Sequence, residues 1–356
     1  MAMIDHWHPV LESERLRRRP VNAQLAGREI ALFRTSSGTP AALSDSCPHR
    51  RMRLSRGAVV GDRLQCPYHG WTFDAGGNGE SPGTPKLHAC AESFDAREAR
   101  GAVWVKSRGS TPAFPQFDVA GYLPICRLRH QIPAPLEVVV DNFCEIEHTP
   151  TVHGLFGYDL GRMHEVTVRF EPTDTSVRVI NAGPSKPLGP LLGTLLGVGR
   201  ADHFHDAWTT HFSPVYSVYD HWWADPATGR ESRVRWRLFI FFTPLDGART
   251  EVMTFAYAKS RWPGPAGGLR LFRWLMRKHI DREIRLDADV LAGLAGYETG
   301  IDGLKLSRFD RVLGLNRERI ERLYRGRGVG CVAGTAAAPP HDAREAARNG
   351  ESQCLT

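Results

Sequence analysis

Four side chains near the start of the sequence have the types and spacing of metal ligands. They are Cys47 and His49 in CPHRRMR, then Cys66 and His69 in CPYHGWTFD. Each loop joins a thiol to an imidazole, and each is stiffened by a proline, Pro48 or Pro67. Four such donors suit one tetrahedral zinc, although zinc sites usually pair cysteine with cysteine in one knuckle and histidine with histidine in the other. Both loops here are mixed. The order Cys, His, Cys, His suits a 2Fe-2S cluster with two cysteines on one iron and two histidines on the other. Such a centre passes single electrons.

A second constellation lies in DNFCEIEHTPTVH, residues 141–153, with Asn142, Glu145, His148 and His153. On a helix Glu145 and His148 share a face. His148 and His153 stand five apart, about 140° around an ideal helix, so a straight helix aims them apart. Pro150 between them has no N–H to continue the ladder, and a break there turns His153 back toward His148. Two histidines and a carboxylate make the facial triad of non-haem Fe(II) oxygenases, with positions left open for O2 and substrate. Two candidates for the carboxylate lie in HIDREIRLDADVLAGL. Asp287 falls on the apolar stripe with Ile280, Ile284 and Leu291, whereas Asp289 is turned about 200° away. An unpaired carboxylate on a buried face is costly, and a metal justifies it. Asp287 is therefore the first choice and Asp289 the alternative.

The first segment resembles the Rieske motif, C-x-H-x(15–17)-C-x-x-H, and its ending CPYHGWTFD is close to the form in Rieske non-haem iron oxygenases. The second resembles the N-x-x-D-x-x-H-x(4)-H motif of their catalytic domain. The resemblance covers about residues 5 to 325, and the length is similar to the single-subunit branch of vanillate O-demethylase and dicamba monooxygenase. It implies that Cys47, His49, Cys66 and His69 hold the cluster, and that His148 and His153 bind the mononuclear iron with Asn142 nearby. Residue 145 then bridges His148 to the partner subunit's His69. The family's third ligand is an Asp opening a helical block like the one that carries Asp287. Glu145 stands where the family most often has Asp, so the carboxylate keeps its charge but moves outward by one methylene.

The resemblance further implies the terminal oxygenase of a multicomponent system. NAD(P)H electrons arrive through a separate reductase, with or without a ferredoxin. O2 then hydroxylates or oxidatively demethylates an apolar, aromatic or cyclic small molecule, as a monooxygenase or a dioxygenase. Head-to-tail homotrimers are usual in that branch. Two rivals are an electron-transfer Rieske protein without oxygenase activity, which needs only the first domain, and a colourless zinc-stabilised binding protein.

The resemblance and the apolar patterning together imply an α+β chain. Short apolar stretches at Arg28–Phe33, Ala41–Leu43, Arg63–Cys66, Trp71–Phe73 and Ala102–Lys106, parted by turn chemistry such as DAGGNG, predict an all-β domain. With its N-terminal segment this Rieske β-sandwich takes residues 1–118, and SRGSTPAFPQFDVAGYLP reads as a linker. Residues 119–328 form the catalytic domain, which the resemblance makes a helix-grip fold, an antiparallel sheet with helices. In it Arg233, Arg235 and Arg237 alternate with Val234, Trp236 and Leu238, a half-buried strand, and after the turn TPLDGART Glu251–Ala258 reads as its partner strand. From about Gly268 to Gly296 the period is helical, with Phe272, Leu275, Met276, Ile280, Ile284, Leu291 and Leu294 on one stripe. The Leu/Gly segment SKPLGPLLGTLLGVG reads as a mobile apolar loop. Phe204, Trp208, Phe212, Tyr216, Tyr219 and Trp222 read as sheet packing, with a minority lining an apolar pocket. His203, His205, His211 and His221 have no ligand spacing and read as surface or core polar groups. Residues 329–356 read as a disordered tail.

Composition narrows the setting. The 356 residues are 42% apolar and 24% charged, ordinary for a globular protein. No apolar run approaches the ~20 residues of a membrane helix, and MAMIDHWHPVLESERL has no signal-peptide pattern, so a cytoplasmic protein is expected. Seven cysteines, odd in number and scattered, fit a reducing compartment. A net charge of +7 and a pI near 9.2 raise the question of nucleic acid. No nucleic-acid motif accompanies them, and the arginines are spread along the whole chain. A basic face for an acidic protein partner accounts for the charge equally well. The run His49-Arg50-Arg51-Met52-Arg53 is either a solvated loop or the rim where a ferredoxin or reductase docks.

Overall fold

The polypeptide up to Ser107 builds eleven strands: β1 (His8–Glu12), β2 (Val21–Leu25), β3 (Arg28–Arg34), β4 (Pro40–Ser44), β5 (Ala58–Val60), β6 (Arg63–Gln65), β7 (Thr72–Phe73), β8 (Asn78–Glu80), β9 (Ala89–Cys90), β10 (Ser93–Ala99) and β11 (Ala102–Ser107). This is a computed structural model, and it describes residues 2–261, 269–297 and 300–327. The tail expected at 329–356 lies outside them, as does Gly268 at the expected helix start.

Two antiparallel sheets result, ordered β1-β11-β10-β4-β3-β2 and β5-β6-β7-β8-β9. On β3, Ile30 and Leu32 enter one apolar cluster with Val103 and Val105, while Ala31 and Phe33 enter another with Leu64 and Phe73. Both faces of that strand are covered, which is why it reads as a continuous apolar run and not as an alternation. The second cluster also encloses Cys47 and Cys66.

The following domain is a seven-stranded antiparallel sheet. Its strands are β12 (Leu123–Ile132), β13 (Thr167–Pro172), β14 (Ser176–Pro184), β15 (His203–Phe212), β16 (Val215–Ala224), β17 (Val234–Pro244) and β18 (Thr250–Ser260). Spatially they run β12-β18-β17-β16-β15-β14-β13, so each strand pairs with its successor except the first, which closes on β18. The helices are α1 (Leu136–Phe143), α2 (Thr149–Val152), α3 (Pro190–Leu196), α4 (Leu269–Ala292) and α5 (Arg311–Arg319). Helix α4 buries Met276, Ile280, Ile284 and Leu291 in the main core. Leu294, expected on the same stripe, lies beyond the end of the helix and is exposed.

Val234, Trp236 and Leu238 point into that core, but from Phe239 to Phe242 strand β17 is buried on both sides. The reason is the first domain: Trp104 of β11 meets Phe241 at 4.9 Å and Phe255 at 5.8 Å. The linker takes part in this joint, since Phe117 stacks on Phe239 at 4.5 Å and Phe114 packs on Trp104. Its Pro/Gly-rich composition therefore encodes an irregular but packed segment.

The two ends of the described chain also meet. His8 on β1 is fully buried; its Nε2 contacts the Met3 carbonyl at 3.0 Å, with the Tyr324 hydroxyl 3.3 Å away. Burial, opposed by the Met3 carbonyl, pushes its pKa down to about 3. Between about pH 6.5 and 3 the unfolded chain binds a proton at this site that the folded chain refuses, so folding stability falls as pH drops through that window. The expected contribution approaches about 1.4 kcal/mol per pH unit. Denaturant titrations at pH 7 and pH 5 check this: the stability lost by the wild type should exceed that lost by His8→Gln.

Candidate metal centres

The two Cys/His loops share one backbone plan. In the first, the Cys47 amide donates to the Met52 carbonyl at 2.9 Å and the Arg51 amide donates to the Cys47 carbonyl at 2.8 Å. In the second, the corresponding bonds are Cys66 to Trp71 at 2.7 Å and Gly70 to Cys66 at 3.1 Å. The fifth residue of each turn has positive φ, 72° at Gly70 and 58° at Arg51. Glycine adopts that conformation freely, whereas for Arg51 it costs roughly 1 kcal/mol. The turns send Cys47 and Cys66 inward to burial and leave His49 and His69 exposed, with ring centroids 4.6 Å apart. Trp71 stacks under His49 at 4.7 Å.

The thiols are neighbours and form no disulfide. Burial first, and then Cys66, push the Cys47 thiol up, while the His49 and Arg50 amides directed at its sulfur work in the opposite sense. Amides aimed at sulfur stabilise a thiolate. Two inner sulfurs and two outer imidazoles on facing turns fit a 2Fe-2S cluster with thiolates on one iron and histidines on the other.

The second constellation is assembled differently from the helical expectation. Helix α1 stops at Phe143, and Glu145 reaches His148 across a turn. Pro150 does not break a helix but sits in the first turn of α2, where its missing N–H has no partner to lose. His148 precedes α2 and His153 follows it, at φ −79° and ψ 150°. One short turn therefore brings the two rings to face each other, with Nε2 atoms 3.0 Å apart.

Asp287 of α4 completes the group. Its Oδ1 lies 3.3 Å from His148 Nε2 and 3.4 Å from His153 Nε2. Right-angled donors at about 2.1 Å from a single ion stand about 3 Å apart, so these three atoms fit one face of an octahedral site. Asp289 is exposed on the other side of the helix. Asn142 Nδ2 donates to Asp287 Oδ1 at 3.1 Å. Glu145 Oε1 accepts from His148 Nδ1, which leaves Nε2 as the lone-pair nitrogen facing the centre. Burial lowers the His148 pKa, yet bonding to Asp287 and Glu145 outweighs it and pushes the value up to about 10. The pocket holds surplus negative charge and favours a cation.

Sequence reading missed Glu283. It lies one turn before Asp287, three after Ile280 on the apolar stripe, and it is buried. Its carboxylate accepts from the Gly154 amide at 3.1 Å and the Leu155 amide at 3.2 Å, and its Oε2 is 3.3 Å from His153 Nδ1. The histidine contact is looser in alignment than the amide bonds. Burial raises the Glu283 pKa, but His153 and the two amides win and hold it below the usual carboxylate range. Its available signal was a second acid at i−4 on a buried face. Glu283→Gln should free the His153 ring and cost roughly 10- to 100-fold in metal affinity. Iron retained against a graded chelator series checks this.

A cavity of about 70 Å³ opens from these ligands. Phe156, Phe204, Leu238, Ile240 and Ile280 form its apolar wall, so two of the aromatics expected near a substrate, Phe204 and Tyr219, do border it. Trp222 lies on the other face under Arg235, and Tyr216 belongs to the joint with the first domain. Of the four downstream histidines, His205 stacks on Trp222 and His211 on Tyr216. His221 lines the same cavity as the iron-type ligands, beside Asp206. The Leu/Gly segment is not a loop throughout: Pro190 starts α3 and Gly197, at φ 70°, caps it.

Residues 6–95 match the Rieske [2Fe-2S] domain family, and residues 132–290 match the vanillate O-demethylase oxygenase C-terminal domain family. The chain therefore joins a Rieske domain to a catalytic domain of the vanillate O-demethylase oxygenase type, the two domains of Rieske oxygenases. Its cofactors are accordingly a Rieske cluster and a mononuclear iron, and the two donor sets above fit them. Among relatives, protein TIC 55 of Arabidopsis thaliana is 27% identical over 49% of this chain and 35% of its own length. The dicamba O-demethylase oxygenase component of Stenotrophomonas maltophilia is 30% identical over 41% of this chain and 46% of its own. The chain thus spans about a third to a half of the length of these relatives. Solved structures share the fold over far more of the chain. Dicamba monooxygenase with 3,6-dichlorosalicylic acid superposes with a TM-score of 0.74 at 19% identity, over 90% of this chain and 97% of that one. A variant of NdmA from Pseudomonas putida CBB5 with caffeine gives 0.70 at 20%, over 90% and 91%.

Proposed function

We propose that this protein is the terminal oxygenase component of a multicomponent Rieske system, hydroxylating or oxidatively demethylating an apolar, aromatic or cyclic small molecule. The observation that carries the reading is the His148, His153 and Asp287 triangle opening onto an apolar cavity, in a chain that also has both Cys/His loops. An electron-transfer protein has no use for the second group. Cys47, Cys66, His49 and His69 hold the cluster in this reading, and the triangle holds the iron, which supplies O2 activation when bound.

The remaining side chains bind, orient and exclude. Glu145 fixes the His148 tautomer and Glu283 steadies His153. Asn142 donates to Asp287 Oδ1 and leaves its other lone pairs for the metal. Phe156, Phe204, Leu238 and Ile240 keep bulk water from the reacting face. Electrons reach the cluster from a ferredoxin or an NAD(P)H-dependent reductase that docks on the rim of Arg50, Arg51 and Arg53, exposed beside His49. The working assembly is a head-to-tail homotrimer in which Glu145 meets the partner subunit's His69. The protein works in the reducing cytoplasm, in keeping with thiol ligands free of disulfides.

Anaerobically purified protein tests this through its visible and EPR spectra with iron and zinc assays. A Rieske spectrum with about three irons per chain, and substrate-dependent O2 uptake with a surrogate reductase, are the expected results. Two irons after reconstitution with ferrous iron would reduce the reading to electron transfer, and a colourless zinc protein would remove it.

A further inference from the structure

Part of the lining of the iron cavity, away from the three ligands in sequence, is polar. Asp206 on β15 and His221 on β16 are direct cross-strand partners, and both side chains are more than nine-tenths buried. His221 Nε2 stands 3.0 Å from Asp206 Oδ1, but too far off line for a hydrogen bond. Asp206 Oδ1 is thus buried without a hydrogen-bond partner, and so, independently, is His221 Nδ1. A pair that served packing alone would satisfy its atoms against each other, because buried polar groups without partners are strongly disfavoured. Here the unsatisfied atoms belong to residues that line the cavity, among aromatic rings: Phe156 at 4.6 Å from the imidazole, Phe204 at 5.6 Å and Tyr219 at 5.6 Å.

The charge of the lining selects further. Its ionisable members are the carboxylates of Glu145, Asp206, Glu283 and Asp287 and the imidazoles of His148, His153 and His221. Among the described residues that line it there is no arginine or lysine. Even with a divalent iron bound, carboxylates outnumber the positive charges, so an anionic substrate would enter a low-dielectric space of its own sign. A ring bearing an N–H or O–H meets a waiting carboxylate acceptor.

We propose that Asp206 and His221 form the polar end of the substrate cavity and select an uncharged ring compound presenting a hydrogen-bond donor, an amide N–H or phenol O–H, over one presenting a carboxylate. Asp206 accepts that donor, and His221 pairs with an adjacent acceptor atom, which turns the opposite end of the ring toward the iron. The inference rests on the oxygenase reading for the iron but not for the cavity wall.

The test uses four ring compounds of similar size: 2-methoxyphenol, 2-methoxybenzamide, 2-methoxybenzoate and methoxybenzene. Their binding to the reduced, iron-loaded protein is read by ligand NMR, where relaxation by ferrous iron marks proximity to the metal, and by calorimetry. The phenol or the amide should bind at least about tenfold tighter than the benzoate and methoxybenzene, since a site built for a hydrogen bond rejects an analogue that lacks it. In Asp206→Asn and His221→Gln, two near-isosteric variants checked for thermal unfolding, that preference should shrink to within about threefold. Equal or tighter binding of the benzoate, no binding near iron by any of the four, or a preference unchanged in both variants would overturn the proposal. Iron assayed on the same samples separates the two readings. A protein fixed at two irons defeats the oxygenase assignment, while calorimetry on that protein still reads the preference of the wall.

Discussion

Replacing His148 or Asp287 by alanine should lower the iron content from about three to about two per chain, leave the cluster spectrum untouched, and cut product formation by at least ~10³-fold. The effect is large because three donors within 3.4 Å of one another are the minimum that fixes a single ion on one face. Removing one leaves two donors, and among the described residues no other His, Cys, Asp or Glu lies close enough to complete the group. Asp287→Ala also strips Asn142 Nδ2 of its acceptor, so that variant should lose some stability as well. His148→Ala frees Glu145, which lies near the surface and can be solvated. Iron analysis and EPR on the same preparation check the outcome, and thermal melts tell lost metal from lost fold. A variant that kept three irons and turned over would show that the triangle is not the catalytic site.

Mixing two inactive chains should restore activity to about a quarter of the wild-type level. One chain carries Cys66→Ser and lacks the cluster; the other carries His153→Ala and lacks the mononuclear iron. If electrons cross between subunits of a head-to-tail ring, a productive junction pairs an intact cluster on one protomer with an intact iron site on the next. Random mixing makes roughly one junction in four productive. Electron transfer within a single chain leaves every mixture dead, because no protomer holds both centres. Coexpression with two affinity tags measures this: the unfractionated mixture should reach that quarter, and the doubly captured protein, which holds mixed trimers only, about a third, because each mixed ring has one productive junction in three. Glu145→Ala in the iron-bearing partner should then lower the restored activity further, since that carboxylate holds His148 on the side assigned to the junction.

Strong legibility belonged to the features whose partners are close in sequence. Each Cys/His loop is closed by hydrogen bonds between residues four and five apart, so residue types and spacing at Cys47–Met52 and Cys66–Trp71 carry nearly all of the geometry. The stripe on α4 is equally local, because a period of 3.6 residues places Ile280, Ile284, Asp287 and Leu291 together without reference to anything else. The family motifs narrowed the chemistry further.

The local reading failed where a short stretch admitted two backbones. Pro150 fits a helix break and a helix start equally well, and the fold chose the start because α2 must return His153 beneath His148. The segment read as a linker is packed, because proline and glycine announce irregular backbone and not the absence of packing; Phe117 finds its partners on strands more than a hundred residues later, while Phe114 packs back on Trp104 and Trp7.

Sequence alone therefore determined the ligand types, the order of the two centres and the face on which Asp287 sits. Tertiary structure alone decided what surrounds the iron site. Glu283 supports His153 across a separation of 130 residues, and Asp206 meets His221 only through the register of β15 against β16. A side chain's face follows from its own element's period. Its partner follows from how two elements are laid together, and that register is set by packing over the whole sheet.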